Sequence, residues 1–457
     1  MSRVTPSSAT DDLPEGWAEA TIGDVTAINP PKPTAHLLPH KAPITFVPMP
    51  AVDAHAGAIV GATDRAFGEV RSGYTAFRDG DVLFAKITPC MENGKAAIAR
   101  GLKNGLGFGS SEFHVLRPSA AALAEYLFYY IRQESYRREA EEHMTGSVGQ
   151  KRVPADYVEN TEMPLPPFAE QRRIVAKVEE LLAQVNQVRE RLARVPAILK
   201  RFRSSVLTQA CGDTAAEKWP VVEFGSVIEE LKNGTSEVPQ FVDTDKPILR
   251  ISAVRSRSVR LDDVRHLQAT CGELDDYLID DGDLLFTRYN GSLDLLGVCG
   301  MVRNLGRSRV YYPDKLMRVR VDGSRLVPEY AELFFASPQA RDRITAKAKS
   351  SAGQQGVSGA NIKAQPILLP PVSEQRSIVR RVEKLFKLAD DIEKQVEAAT
   401  KRVDKLTLAI LAKAFRGELV PTEAELARKE SRSYEPASVL LERIRHERAK
   451  AESIVPG

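Results

Sequence analysis

Leu165-Pro166-Pro167-Phe168-Ala169-Glu170-Gln171-Arg172 returns 204 positions later as Leu369-Pro370-Pro371-Val372-Ser373-Glu374-Gln375-Arg376. A block used twice makes internal duplication the first hypothesis to test. Working outward, Trp17 and Trp219, the only two tryptophans, lie 202 apart. Ile22-Gly23-Asp24-Val25 falls on Phe224-Gly225-Ser226-Val227 at that same offset. Gly80-Asp81-Val82-Leu83-Phe84 falls on Gly282-Asp283-Leu284-Leu285-Phe286, and Lys86 on Arg288. Tyr126 and Gln150 then match Tyr330 and Gln354 at 204, so one small loop insertion separates the copies. The blocks keep their order through the whole half, which chance similarity does not do.

Each copy has the same internal order. A stretch rich in Val, Ile, Phe, Gly and Pro comes first and predicts strands and turns. A short helix is expected near 121–141 and 328–349, followed by a Gly/Ser loop and an apolar strand that ends in Pro-Pro. A long helix comes last. Its apolar positions run Ile174, Val178, Leu181, Val185, Val188, Leu192, Val195, Leu199 in the first copy. In the second they run Ile378, Val382, Leu385, Ala389, Ile392, Val396, Ala399, Val403, Leu406, Ile410. Alternating steps of four and three define a heptad seam, so coiled-coil packing is expected. Two seams related by duplication in one chain pair naturally in antiparallel fashion. About 37 helical residues at 1.5 Å each span roughly 55 Å, longer than one turn of DNA. Pro196, with Thr400 at its counterpart, is expected to kink or interrupt the first helix.

The expected fold class is therefore α+β. Two similar globular domains are related by pseudo-two-fold symmetry and separated by two long antiparallel coiled-coil helices. A chain of 457 residues with 43% hydrophobic and 27% charged positions can bury a core in each. Balanced charge, 64 basic against 61 acidic residues for a net +3, means that any nucleic-acid surface is a local concentration of cations. No apolar run is long enough to span a bilayer, and Met1 to Asp12 form a polar, flexible start without a signal core. Four scattered cysteines, 90, 211, 271 and 299, imply reduced thiols and a cytoplasmic protein.

Catalytic signatures are missing. Asn29-Pro30-Pro31 resembles the Asn-Pro-Pro-aromatic loop of adenine methyltransferases, but Lys32 stands where a ring would stack on a flipped base. The stretch reads as a proline turn. Gly94-Lys95 is followed by Ala96 and lacks the first glycine of a P-loop, and Pro313-Asp314-Lys315 has no acidic companion of a nuclease. The seven histidines form no metal-spaced pair, and His114 and His266 read as ordinary hydrogen-bonded residues. A binding role follows.

Base readout needs Arg, Lys, Asn or Gln at base edges, with basic and hydroxyl groups on phosphates. Three places in each half fit. Beyond the Gly-Asp strand stand Lys86, Thr88, Asn93 and Lys95, matched by Arg288, Tyr289 and Asn290. The Gly/Ser loops carry Ser147, Gln150, Lys151 and Arg152 in one copy and Ser351, Gln354 and Gln355 in the other. The third place differs: Arg65 to Arg71-Ser72-Gly73-Tyr74 against Arg250, Arg255, Arg257 and Arg260, the latter expected as a strand with one basic face. Such divergence would let each half read a different sequence.

The chain resembles the specificity subunits of type I restriction–modification enzymes. The resemblance rests on the duplication, the twin Leu-Pro-Pro-x-x-Glu-Gln-Arg helix starts, Ala414-Phe415-Arg416-Gly417-Glu418-Leu419-Val420-Pro421, and Glu435-Pro436-Ala437-Ser438 with Leu440-Leu441-Glu442-Arg443-Ile444. It implies target recognition domains at 13–168 and 213–371, conserved helices at 169–212 and 372–417, and a helical extension at 418–457 that could contact a modification subunit. It further implies double-stranded DNA as ligand, read as a bipartite asymmetric target. Two methyltransferase subunits are implied as partners, with two restriction subunits in a complete nuclease. S-adenosylmethionine, ATP and magnesium would belong to those partners and none to this chain. A coiled-coil adaptor without base readout and an orphan DNA methyltransferase are the alternative readings.

Overall fold

The computed structural model describes residues 13–32, 38–147, 149–211, 219–240, 244–268, 274–351 and 354–454. The expectations for residues 1–12 and for Cys271 lie outside them. Two compact units emerge: Met1–Arg191 with Ala399–Gly457, and Leu192–Ala398.

In the first unit, strand Ala18–Thr21 pairs antiparallel with Glu162–Leu165, the strand that ends in Pro-Pro. A four-stranded antiparallel sheet follows in the order Thr26–Ile28, Phe113–Pro118, Val82–Ala85, Ala96–Ile98. A second four-stranded sheet contains the parallel pair Pro43–Val47 and Leu106–Gly109. Helices Ala124–Ile131 and Glu134–Glu142 contribute Tyr126, Leu127, Ile131 and Tyr136 to the core.

The second unit repeats the plan except in its second sheet, where Pro247–Leu249 with Val264–His266 and Val254–Arg255 with Ser258–Val259 form two separate two-stranded pieces. Val221–Glu223 pairs with Pro366–Leu368. A four-stranded sheet runs Ile228–Asn233, Leu316–Val321, Leu284–Thr287, Cys299–Met301. Helices Pro328–Ala336 and Pro338–Thr345 pack against it. Each expected short helix is thus two. In the second copy Pro338 starts a new helix capped by Ser337, because proline suits a first helical turn and not an interior one.

The duplicated motifs turn out to be structural joints. Gly80 and Gly282 take φ of 88° and 92°, a left-handed turn that glycine adopts without strain. The next residue, Asp81, is 1% exposed; its carboxylate accepts from the Arg78 amide at 2.7 Å and from two Arg117 nitrogens at 2.8 Å each. Asp283 accepts equivalently from the Asp280 amide at 2.8 Å and Arg320 Nε at 2.9 Å. Gln171 is buried at the start of the first long helix, where it donates to the carbonyls of Ala121 and Pro166 and accepts from the Leu123 amide. Gln375 donates to Arg325 and Pro370 and accepts from Val327. One side chain thereby ties the strand exit, the helix start and the loop before the short helices.

The long helices are Phe168–Cys211 and Val372–Phe415, 44 residues each. In the first unit Ile174, Val175 and Val178 share a core with Leu411, Ala414 and Phe415. In the second, Val206, Leu207 and Cys211 share one with Ile378, Val379 and Val382. In both units the start of one helix lies beside the end of the other, so the pairing is antiparallel. Arg189 reaches Asp404 at 3.1 Å in the first unit, and Arg203 reaches Asp390 and Glu393 at 2.6 and 2.9 Å in the second.

Two seam positions are corrected: Val188 is 44% exposed and Leu406 52%. A straight α-helix drifts about 20° per heptad from a strict 3.5-residue repeat, so the stripe rotates off the contact line. Val403 keeps its expected buried place, and beyond it Thr407, reached by Arg189, and the buried Leu411 and Ala414 continue the inward face. Helix also continues through Pro196, where an interruption was one expected outcome.

The extension is helical, at Glu423–Glu430 and Ala437–Ile454. Ala437, Leu440, Leu441 and Ile444 join the first unit's core, so this apolar face is covered by its own chain. Glu170, buried, accepts from Trp17 Nε1 at 2.8 Å and from the Glu423 amide at 2.7 Å. Arg445 binds both carboxylate oxygens of Asp24 at 3.0 and 2.6 Å.

Candidate nucleic-acid interface

The first two candidate places become one surface in each unit. In the first, Thr145 and Arg152 exchange backbone hydrogen bonds at 3.0 and 2.8 Å, which closes the Gly/Ser loop as a hairpin. Gly146 and Gly149 sit at positive φ in its turn, and Gly149 has open space around it. The hairpin lies against the end of strand Val82–Ala85: the Thr88 amide donates to Lys151 O at 3.0 Å, and the Val153 amide donates to Lys86 O at 2.9 Å. Lys86 and Thr88 therefore stand beside Ser147, Gln150 and Lys151, with the last three exposed.

The second unit builds the same joint. The Val357 amide donates to Arg288 O at 3.0 Å, the counterpart of the bond from Val153 to Lys86. Here the hairpin is a true sheet: Lys349–Ser351 pairs with Gln354–Gly356, which pairs in turn with Tyr289–Asn290. Arg288, Tyr289, Asn290 and Gln355 are half-exposed on it, with the Arg288 guanidinium 4.8 Å over the Tyr289 ring. Ser351 and Gln354 occupy strand positions, and their side chains lie outside the described residues.

Several candidates are engaged elsewhere. Lys95 Nζ donates to the Met49 carbonyl at 3.1 Å, and Thr88 Oγ1 contacts Met144 Sδ at 3.7 Å. Asn93 stays exposed. Arg152 makes a two-pronged pair with Glu112, at 2.9 and 2.8 Å, and also donates to the Gln150 carbonyl. That guanidinium holds the Glu112 carboxyl below the usual carboxylate range. Arg152 thus fastens the hairpin's foot to the sheet.

The third place is not brought to this surface in the form expected. Val254–Arg255 and Ser258–Val259 are short strands of a tight hairpin, not one strand with a basic face. Arg257 sits at its left-handed turn, with its guanidinium 4.3 Å over the Phe386 ring of the second long helix. Arg255 donates to the Val254 carbonyl, and Arg250 and Arg260 both pair with Asp263. In the first unit Arg65 lies 3.9 Å over the Phe46 ring, which packs T-shaped with Tyr74.

Three side chains behind the first hairpin were not among the expected site residues. His114, 3% exposed, points Nε2 at the Val153 carbonyl at 2.8 Å and Nδ1 at Asn29 Nδ2 at 3.0 Å. Asn29 Oδ1 accepts from the Val115 amide at 3.0 Å, with the Asn29 backbone at φ 47°. Burial depresses the His114 pKa, and the nearby Lys86 charge adds to it. Glu112, the partner of Arg152, is the third. Sequence marks Asn29 as part of a proline turn and His114 as an ordinary hydrogen-bonded residue, and it gives no sign that the two meet beneath the hairpin.

Among the described residues, no cluster of His, Cys, Asp and Glu could hold a metal ion, and no helix is long and apolar enough to cross a membrane. Comparison with known proteins gives a consistent picture. A family model described as the type I restriction modification DNA specificity domain matches residues 14–196 and again 216–402. The type I restriction enzyme EcoKI specificity subunit of Escherichia coli (strain K12) is 43% identical over 349 residues, covering 73% of this chain and 74% of that protein. The StySPI specificity subunit of Salmonella potsdam is 33% identical over 348 residues, covering 73% and 74%. Among solved structures, the HsdS subunit from Thermoanaerobacter tengcongensis aligns with a TM-score of 0.61 at 21% identity, over 90% of this chain and 99% of that one. A structure concerned with complex assembly and conformational transition of the type I R-M system aligns with a TM-score of 0.70 at 22% identity, over 89% and 99%.

Proposed function

This chain belongs to the type I restriction–modification DNA specificity family, and on that premise we propose that its two units each read one part of a bipartite, asymmetric DNA target. It is a specificity subunit, which recognises DNA sequence within a type I system and leaves the chemistry to other subunits. The observation that carries the two-part reading is the joint found twice: a hairpin hung on the end of the Gly-Asp strand by the same backbone bond, with Lys86 at one and Arg288 at the other. A shared frame carrying different side chains suits two readers of different sequence. Ser147, Gln150 and Lys151 in one unit, and Arg288, Tyr289, Asn290 and Gln355 in the other, are the groups best placed to meet base edges and phosphates.

Two methyltransferase subunits and two restriction subunits complete the assembly in this reading. They bring S-adenosylmethionine, ATP and magnesium, and the complex works in the cytoplasm. The exposed apolar positions Val188, Ile198, Leu388, Leu406 and Leu408 along the long helices suit docking of those subunits. The test is a binding selection. The full-length chain, purified in the assembly it forms in its own cell, is incubated with duplexes carrying two randomised blocks. Enrichment of one fixed sequence in each block is expected. Gln150→Ala should relax one block by about tenfold, the scale of a lost bidentate base contact. Enrichment of no sequence, as an adaptor without base readout would give, contradicts the proposal.

A further inference from the structure

The two reading hairpins are anchored by different physics. In the second unit, backbone does the work: Tyr289 pairs with Gly356 and Asn290 with Gln355, so the hairpin is the continuation of a three-stranded sheet. In the first unit, among the described residues, backbone contact between loop and hairpin is the single isolated bridge from Ile87 to Arg152, made by the Thr88 bond to Lys151 and the Val153 bond to Lys86. Side chains replace the missing sheet. His114 stands on the strand beneath and holds the Val153 carbonyl, while the Val153 amide holds Lys86. Asn29 fixes the other ring nitrogen of His114 and is itself held by the Val115 amide. Glu112 grips Arg152 with both oxygens. Strand pairing places Met317 of the second unit where His114 stands in the first, since each residue lies one step beyond the partner of the Gly-Asp strand's last residue. Lys315 stands in place of Glu112, because its carbonyl receives the Arg288 amide as that of Glu112 receives the Lys86 amide. The second unit thus has neither polar anchor.

We propose that Asn29, His114 and Glu112 are positioning residues that set the pose of the first reading hairpin, and with it the specificity of one half of the target only. The inference rests on the DNA-reading assignment above. A hairpin held by one backbone bridge and two side-chain anchors, His114 and Glu112, can shift by an ångström when an anchor is lost, and a bidentate base contact does not survive such a shift. A hairpin held by a sheet ladder keeps its register. The two halves should therefore respond differently to changes beneath the first.

The test uses the same selection from duplexes with two randomised blocks. His114→Met installs the residue found at the matching place in the second unit, which fills the site while removing both polar ends. Glu112→Gln removes the charge pair at a partly exposed position and serves if the first variant fails to fold. His114→Gln, whose amide nitrogen can reach the Nε2 position, is the conservative rescue. Expected is a loss of about tenfold in preference at one block for H114M and for E112Q, an unchanged second block, and recovery toward the original with H114Q. Equal loss at both blocks, with lowered thermal stability, overturns the proposal, because a general folding defect does not choose a half-target. Unchanged preference at both blocks in the two folded variants also overturns it. If the unmodified chain enriches no sequence at all, the DNA-reading assignment itself falls.

Discussion

Gln171 and Gln375 show what a single residue can fix. Each is buried, and each satisfies two carbonyls and one amide where the chain leaves a strand and enters a long helix. This is why the Glu-Gln pair was legible as a repeated block: both copies need the same three bonds. Replacing either by Ala strands buried backbone groups, at about 1–3 kcal/mol for each left unpaired. Urea unfolding of Gln171→Ala and Gln375→Ala should show a loss of about 3 kcal/mol or more; a change under about 0.5 kcal/mol contradicts the joint. His114 gives a pH prediction. Its folded pKa lies below the ordinary value of 6.5, chiefly through burial, with Lys86 pushing it further down and the Val153 bond and Glu112 opposing. The unfolded chain therefore takes up a proton first as pH falls, so stability declines as pH drops through the ordinary histidine range. His114→Met should flatten that decline, and an unaltered slope between pH 7 and 5 in urea titrations would refute it. Glu112 was not legible, because an acidic residue signals nothing until its partner Arg152 is beside it.

At the scale of elements, the long helices were readable from periodicity and their exact contact line was not. Ile174, Val178, Ile378 and Val382 are buried as expected, while Val188 and Leu406 have rotated outward. Sequence gives the period of a stripe, and packing against the globular parts decides where it faces. Pro196 tests this. It sits inside continuous helix, where proline is about 3 kcal/mol less favourable than alanine. Pro196→Ala should raise the urea midpoint and helical ellipticity; a lower midpoint would mean that proline relieves a strain. The extension was legible as helix, but its seat on Glu170 and Asp24 was not, since those contacts join residues more than 250 positions apart. Deleting residues 418–457 should speed amide exchange in residues 14–25 and 168–178 and leave 219–233 and 366–382 unchanged. Equal exchange in all four segments would contradict that seat.

For the whole molecule, duplication is the organising fact. The same sheet order, glycine turn, buried aspartate and helix start occur in both units. Differences lie on the candidate-interface hairpins, in the residues that hold them, in the arginines of the third place, and in the second sheet, four-stranded in the first unit and two separate two-stranded pieces in the second. That division explains the partial legibility of the interface. The frame recurs and was visible as repeats, whereas Arg257 looked like a reader until its ring partner Phe386 appeared. The central claim is that each unit specifies its own half of the target, and methylome sequencing tests it most directly. Cells carrying the intact chain are compared with cells in which residues 219–368 are exchanged for the matching region of the EcoKI specificity subunit. The account predicts a two-block methylated motif in which one block changes and the other is retained base for base. A motif that changes in both blocks, or in neither, would contradict it.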